Sequence, residues 1–413
     1  MARVARLVGS LWSLRNSMAA ESSVTAVLKS SSVSGIGTSR HFSTVARVSG
    51  RPGVCGVDGR ISAMCDREIP WVAGGGRAKE SRLWWACRGF LLLVCGLRVQ
   101  VSGVLRFTAI DELARIPGPH HLALGVFDGV HRGHQAVIAR ALAGREREGG
   151  TCGVLTFDPY PIRVLFPEKA PRRLLASLDH KAAVLAGMGV DFLLALNFDR
   201  NRAGQDAEEF VRELAAVGVR TIAVGEDWRF GRDRRGDVAL LARLAPELGF
   251  RVEALPPVMM DGERISSTRI RQAIRDGNLA DAAGMLGRPY TVSGSVVEGR
   301  KLGRRLGFPT ANMATGDEQL PPDGVWAVRG RLGSRMLDGV ANLGVRPTLE
   351  DRERVLEAHW FDFSGDLYGQ ELEVEFVSRL RGEQKFGSLE ELRQGIERDC
   401  RDALYLLRGM DAP

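Results

Sequence analysis

The sequence predicts an α/β chain in which a parallel sheet is followed by an antiparallel β-barrel or sandwich with a final helix. Three observations carry this expectation. From residue 121 to 255, short apolar runs alternate with longer amphipathic stretches, the rhythm of βαβ units. After Gly287–Tyr290 the texture changes to short alternating runs parted by Gly and Pro turns, as in antiparallel all-β architectures. Helical spacing then returns in Leu389–Leu407, with Leu392, Ile396, Ala403 and Leu407 on roughly one side.

The strands of the first region are expected at Leu122–Val126, Val154–Phe157, Phe192–Leu196, Thr221–Val224 and Val252–Leu255. Between them, Gln135–Glu148 stops at Gly149-Gly150 and Lys181–Met188 stops at Gly189. Asp206–Val217 opens on a capping Asp and closes at Gly218, and Val238–Leu248 closes at Gly249. A parallel sheet covered on both faces binds ligands outside the carboxyl ends of its strands, near the switch in strand order. Segments that directly follow strands are therefore the ones that carry chemistry. In the second region the runs are Tyr290–Val297, Gly324–Arg331, Met336–Leu343, Val355–Phe363 and Glu371–Leu380.

The 413 residues, 44% hydrophobic and 26% charged, suit a soluble globular chain of two or three domains. The net charge of +7 is unevenly placed: residues 1–100 carry 14 Lys and Arg against 5 Asp and Glu, and the remainder carries 43 against 45. Nucleic-acid binding needs a basic face on the folded part, and this balance gives none. Residues 1–103 form an unpatterned basic extension, read as an over-long gene start, a flexible tail or a transit peptide, with the first preferred. Its apolar run Phe90–Leu97 is too short to cross a bilayer, so no membrane association is expected. Cys55, Cys65, Cys87 and Cys95 lie in it, and Cys152 and Cys400 stand alone beyond it. No zinc or disulfide spacing results, which points to a reducing compartment, the cytoplasm.

The segment GVFDGVHRGH, Gly125–His134, leaves the first strand and enters the first helix. Gly125, Gly129 and Gly133 permit close backbone approach, and His131 and His134 share one face of the helix start. A helix N-terminus offers free N–H groups to a phosphate. Two imidazoles beside it can donate to phosphate oxygens as charge builds in a transition state. ISSTRIR, Ile265–Arg271, starts another helix, with Ser266 or Ser267 as cap and Arg269 and Arg271 near its positive end. In the second region, GRKLGRRLGFPTANM, Gly299–Met313, has glycine spacing suited to a loop over phosphates. Thr310 and Asn312 offer hard oxygen ligands for Mg²⁺.

These segments resemble two known families. GVFDGVHRGH and ISSTRIR look like the two signatures of HxGH nucleotidyltransferases, in the form used by bacterial FAD synthetases. GEDWRFGRDRRGD (Gly225–Asp237) and TFDPYP (Thr156–Pro161) resemble further segments of that family, with Trp228 where Phe is usual and Tyr160 where His is usual. GFPTAN, NLGVRPT (Asn342–Thr348), DLYG (Asp366–Gly369) and RGEQKF (Arg381–Phe386) resemble riboflavin kinases, and Glu357 falls at that family's general base. The resemblance to the bifunctional bacterial enzymes runs from about Val104 to Arg408.

That resemblance implies an adenylyltransferase domain over 104–287 and an antiparallel β-barrel kinase domain over 288–408. Riboflavin would be phosphorylated to FMN, and FMN adenylylated to FAD, with ATP and Mg²⁺. It implies catalytic roles for His131, His134 and Glu357, and phosphate binding by Gly125, Phe127, Asp128, Gly129, Gly133, Ser266, Ser267, Thr268, Arg269, Arg271, Gly299, Gly303 and Gly307. Asp158, Asn197 and Asp199 would touch flavin, and Thr310 and Asn312 would hold the metal. The partners are small-molecule substrates, and a homo-oligomer stays open. The alternatives are a chain with one working module, or a non-catalytic flavin binder.

Overall fold

A computed structural model of the chain describes residues 103–299, 303, 306–347 and 352–410, together with the backbone of 24–29 and 43–48. It divides into two units, Met1–Val99 and Gln100–Pro413. In the first, β1 (Val24–Lys29) and β2 (Ser43–Val48) pair antiparallel, a feature the sequence pattern did not announce. The remaining residues of the expected basic extension, Gly103 apart, lie outside the described residues.

The second unit begins with six parallel strands: β3 (Leu105–Phe107), β4 (His120–Leu124), β5 (Thr151–Asp158), β6 (Phe192–Asn197), β7 (Val219–Gly225) and β8 (Arg251–Leu255). Their spatial order is β3-β6-β5-β4-β7-β8, so the chain reverses direction across the sheet at β4. The helices are α1 (Arg132–Glu148), α2 (Leu178–Gly187), α3 (Ala207–Ala216) and α4 (Val238–Leu248). Successive residues of β4 point to opposite faces. Ala123 packs with Ile138 and Ala141 of α1 and Leu185 of α2. Leu122 and Leu124 pack with Phe210 and Leu214 of α3 and Leu241 and Leu244 of α4. All five residues of β4 are buried, as a strand covered on both faces requires.

A two-rung ribbon, β9 (Met259–Met260) with β10 (Glu263–Arg264), leads into α5 (Ser267–Arg275) and α6 (Leu279–Leu286). Gly287, at φ 70°, ends α6. Six antiparallel strands follow: β11 (Thr291–Val297), β12 (Ala311–Ala314), β13 (Gly324–Leu332), β14 (Arg335–Pro347), β15 (Arg352–Trp360) and β16 (Glu371–Arg381). They close in the order β11-β12-β15-β14-β13-β16, so the architecture is a barrel and not a sandwich. Closure leaves no strand edge unpaired. In α7 (Leu389–Met410), Ala403 and Leu407 pack fully buried against Val325, Ala327 and Val340 on the barrel's outside.

One apolar core runs through the barrel and into the preceding helices, joining Val292, Trp326, Leu356 and Phe376 to Ile270, Ile274, Met285 and Leu286. Polar contacts reinforce this junction. The buried Glu318 carboxylate accepts the Ser177 and Ser293 backbone N–H groups, each at 2.8 Å, and faces His180 Nδ1 at 3.1 Å. Leu174 exchanges backbone hydrogen bonds with Asp317 (2.8 Å) and Gln319 (2.7 Å).

Candidate functional site

The turn after β4 carries an unusual backbone. Phe127 (φ 53°), Gly129 (φ 78°) and Val130 (φ 43°) occupy the left-handed region, which is costly for a β-branched residue. The surroundings fix it carbonyl by carbonyl. Val126 O accepts from Thr156 Oγ1 (2.8 Å) and Lys181 Nζ (2.9 Å), and Asp128 O accepts from Ser267 Oγ (2.9 Å). Gly129 O accepts from Arg288 Nη2 (2.9 Å), and Val130 O from Gln135 Nε2 (2.9 Å). A Cβ on Gly129 would stand 2.6 Å from Leu175 Cδ1, so only glycine fits there.

This turn aims two imidazoles into a cavity of about 340 Å³ at the switch point of the sheet. His131 caps α1, its Nδ1 accepting the His134 N–H at 3.3 Å. That bond places the ring proton of neutral His131 on Nε2. The two rings stack with centroids 3.6 Å apart, and Phe127 meets His134 edge-on at 5.2 Å. Burial pulls His131 down to about 4 and His134 well below the usual imidazole range. Both are therefore neutral N–H donors at pH 7 and not imidazolium ions. His134 Nδ1 is buried without a hydrogen-bond partner.

The opposite wall is the start of α5, where Ser266 caps the helix by accepting the Arg269 N–H at 3.2 Å. Ser266, Ser267, Thr268 and Arg271 line the cavity with Gly125, Phe127, Gly133 and Tyr160. Arg271 forms a buried ion pair with Asp128 at 2.5 Å. Burial pushes the Asp128 carboxyl up, and the Arg271 charge opposes that. The expected pair of arginines is not what the structure brings together. Arg269 turns to the ribbon, donating to Met260 O (2.9 Å) and pairing with Glu263 (3.4 Å), outside the cavity lining. Arg264 of β10 takes the place beside the histidines, paired with Asp227 at 2.5 Å, and both line the cavity. Sequence reasoning missed Arg264, which stands two residues before the ISSTRIR capping serine.

The residues expected at flavin sit at and beyond the ends of β5 and β6. Asp158 and Asn197 are register partners at the carboxyl ends of β5 and β6, outside this lining. Asp199 caps the short turn Arg200–Ala203, accepting the Arg202 N–H at 2.8 Å.

A second cavity, about 300 Å³, opens between the barrel and α7. Its polar wall follows from strand register. Glu357 of β15 stands directly opposite Asn312 of β12 on one side and Asn342 of β14 on the other, so the three share a face. Thr310, Asn342 and Glu357 all line the cavity. Gly299 and Gly303 crowd this wall: a Cβ on Gly299 would lie 2.0 Å from Asn312 Nδ2, and one on Gly303 would lie 2.3 Å from Phe308 O. Gly307 takes φ 91°. Residues 300–302 and 304–305 of that glycine-rich loop, and Thr348 of NLGVRPT, lie outside the described residues.

Phe308, Val325, Val340, Phe386, Leu392 and Ile396 give the cavity an apolar part, and His359, Arg381, Glu383, Gln384 and Asp399 add polar lining. Arg381 fixes its rim, bound to Asp399 through two hydrogen bonds (2.8 and 2.7 Å) and stacked over Phe386 at 5.6 Å. His359 Nδ1 donates to Pro309 O (2.8 Å), tying β15 to the segment that carries Thr310. Sequence reasoning named neither His359 nor Asp399. The period of two along β15 placed His359 on the face of Glu357 and was the available signal.

A doubly wound sheet with a histidine-lined turn, joined to a barrel with a carboxylate and amide wall, defines an enzyme class with two phosphate-handling sites. The FAD synthetase family profile matches residues 114–269, and the riboflavin kinase profile matches 286–407. The bifunctional riboflavin kinase/FMN adenylyltransferase of Escherichia coli K12 is 43% identical over 281 residues, 67% of this chain and 90% of the relative. That of Bacillus subtilis strain 168 is 33% identical over 305 residues, 70% of this chain and 96% of the relative. A crystal structure from Streptococcus pneumoniae, described as a macrolide-efflux protein, aligns with a TM-score of 0.62 at 30% identity, covering 72% of this chain and 97% of that one. Among the described residues, no helix is long and apolar enough to cross a membrane. The chain belongs to the bifunctional riboflavin kinase/FMN adenylyltransferase family.

Proposed function

We propose that this chain phosphorylates riboflavin to FMN in the barrel cavity and adenylylates FMN to FAD in the sheet cavity, with ATP as donor in both. The observation that carries the reading is the pairing of two cavities on one chain, each lined by glycine and by polar groups suited to its transfer. The corresponding division is 104–287 for adenylyl transfer and 288–408 for the kinase, as the element boundaries at Leu286 and Thr291 support.

In the kinase site, the apolar side chains of Val325, Val340, Leu392 and Ile396 suit the flavin ring. Glu357 orients the ribityl 5′-hydroxyl and takes its proton as the oxygen attacks the γ-phosphorus, with ADP leaving. The missing side chains of Gly299 and Gly303 let Asn312 and the Phe308 carbonyl pack close to the loop backbone, and Gly307 meets nothing within 4 Å where a side chain would begin, a loop suited to fold over the triphosphate. The donor set suits Mg²⁺: Thr310 lines the cavity and Asn312 stands opposite Glu357, and both would offer it hard oxygen ligands. When bound, Mg²⁺ supplies charge neutralisation to the phosphates.

In the sheet site, an FMN phosphate oxygen attacks the α-phosphorus of ATP and pyrophosphate leaves. His131 donates from Nε2 to the phosphate oxygens as negative charge gathers on them, and His134 stacks behind it as a second neutral donor. The N-terminus of α5, with Ser266, Ser267 and Thr268, receives the departing phosphates. Arg264 adds positive charge from the rim, and Arg271 holds Asp128 and the turn in place.

The test is product analysis with riboflavin, ATP and Mg²⁺. Sequential appearance of FMN and then FAD is expected. FMN without FAD, also from supplied FMN, would reduce the reading to a kinase.

A further inference from the structure

Lys181 is the one buried ammonium in the sheet cavity's surroundings that the reaction above does not use. It lies in the first turn of α2 with 7% of its surface exposed. Its own helix does not explain it. The amino end of a helix repels a cation, and taking an ammonium out of water is costly. A methionine would fill a similar volume without either cost. Something outside α2 must call for the charge and the donors.

Three contacts answer that call. Lys181 Nζ donates to Val126 O at 2.9 Å and approaches Thr156 Oγ1 at 3.3 Å, and Thr156 Oγ1 donates to the same Val126 carbonyl at 2.8 Å. This triangle grips the last residue before the left-handed Phe127 and the turn that ends in His131. The titratable groups facing Nζ are the carboxylates of Asp128 in that turn and Asp158 at the end of β5, and the neutral His134 ring of α1.

We propose that Lys181 is a positioning residue for adenylyl transfer, holding the Val126 carbonyl so that the strained turn keeps His131 and His134 aimed at the α-phosphate. This inference rests on the adenylyltransferase reading of the sheet cavity. Lys181 acts through the turn and touches neither substrate. Burial pulls its ammonium down to about 8, with Asp128 and Asp158 opposing the fall. Rising pH therefore weakens the grip within an accessible range, and a guanidinium at this position stays charged throughout.

The experiment uses the full chain and reads both activities from each preparation. Lys181→Met is expected to lower kcat for FAD formation about 10- to 100-fold while KM for FMN and ATP moves less than about 3-fold, the pattern of an interaction made in the transition state. Riboflavin phosphorylation by the same protein should stay within about 2-fold of wild type, because the kinase cavity shares no residue with this triangle. Lys181→Arg should retain adenylyl transfer and lose the alkaline fall that wild type shows near pH 8. An unchanged kcat in Lys181→Met, or a loss confined to KM, overturns the proposal. If Lys181→Met fails to fold and loses both activities, the pH profiles decide: the same alkaline limb in wild type and Lys181→Arg overturns it. A wild-type chain that makes FMN and no FAD refutes the parent reading, and this inference with it.

Discussion

Asp128 and Arg271, separated by 143 residues in the chain, close a buried ion pair at 2.5 Å between the turn after β4 and the helix α5. The pair joins the two walls of the adenylyl-transfer cavity. The second Asp128 oxygen accepts the Leu175 N–H at 2.8 Å, so the carboxylate also anchors the segment that leads to α2. Removing one partner of such a pair leaves the other buried and uncompensated. Asp128→Ala should cost about 3–5 kcal/mol of stability in urea unfolding. It should also abolish FAD formation. A change below 1 kcal/mol, by order of magnitude, would mean that Arg271 finds water in the variant.

The kinase chemistry is assigned to one carboxylate. Glu357→Ala should lower FMN formation by about 10²–10⁴-fold, the usual contribution of a general base. FAD formation from supplied FMN should stay within about 2-fold of wild type, since the two cavities share no lining residue. Both rates can be followed by chromatography of the flavins. Wild-type FMN formation in the variant would move the base elsewhere, with Glu383 the next candidate in that cavity's lining, since Asp399 is held by Arg381.

Gly299 tests the same site without touching a charge. Its Cβ would fall 2.0 Å from the Asn312 amide nitrogen, and Asn312 is itself only 5% exposed. Gly299→Ala should displace the Asn312 side chain while leaving the barrel intact. Kinase kcat/KM for ATP should fall at least about 10-fold, with a stability change below about 1 kcal/mol, since the clash is with a side-chain tip.

The stacked histidines set a pH dependence. The folded-state value of His131 lies near 4 against an ordinary 6.5, and His134 is depressed as well. The unfolded chain therefore binds more protons between these values, so stability rises with pH across that window. The contribution is fully present above about 6.5 and is lost as pH falls toward 4. The thermal midpoint of wild type should drop over that range. His131→Asn with His134→Asn should flatten the slope between pH 5 and 6.5, as seen by calorimetry at constant ionic strength.

Much of the sheet was legible because its signals are local. Val238–Leu248 is a helix with the expected bounds, opened by Asp237 and closed by the left-handed Gly249. The strand before the histidine turn came out two residues earlier than its apolar run, at His120–Leu124, because His120 and His121 are buried polar partners of Thr151 and Thr221 and carry no apolar signal. Edge strand β3 has three residues and no period to read. In the second cavity, the Asn312–Glu357–Asn342 row depends on register between strands far apart in sequence, so spacing alone could not align it. The two arginines of ISSTRIR show the remaining gap. Neighbours two apart on a helix do not face the same way, and Arg269 and Arg271 diverge accordingly, one to the ribbon and one to Asp128.

The shared apolar core has a practical corollary for anyone wishing to study the two activities apart. A cut near Gly287 would bare Met285 and Leu286 on one fragment and Tyr290 and Val292 on the other, all at most 4% exposed in the intact chain. It would also orphan Glu318 from Ser177 and Arg173 from the Glu318 carbonyl. Each fragment would carry a greasy scar prone to clumping. Point substitutions that silence one site in the uncut polypeptide are the cleaner way to dissect it.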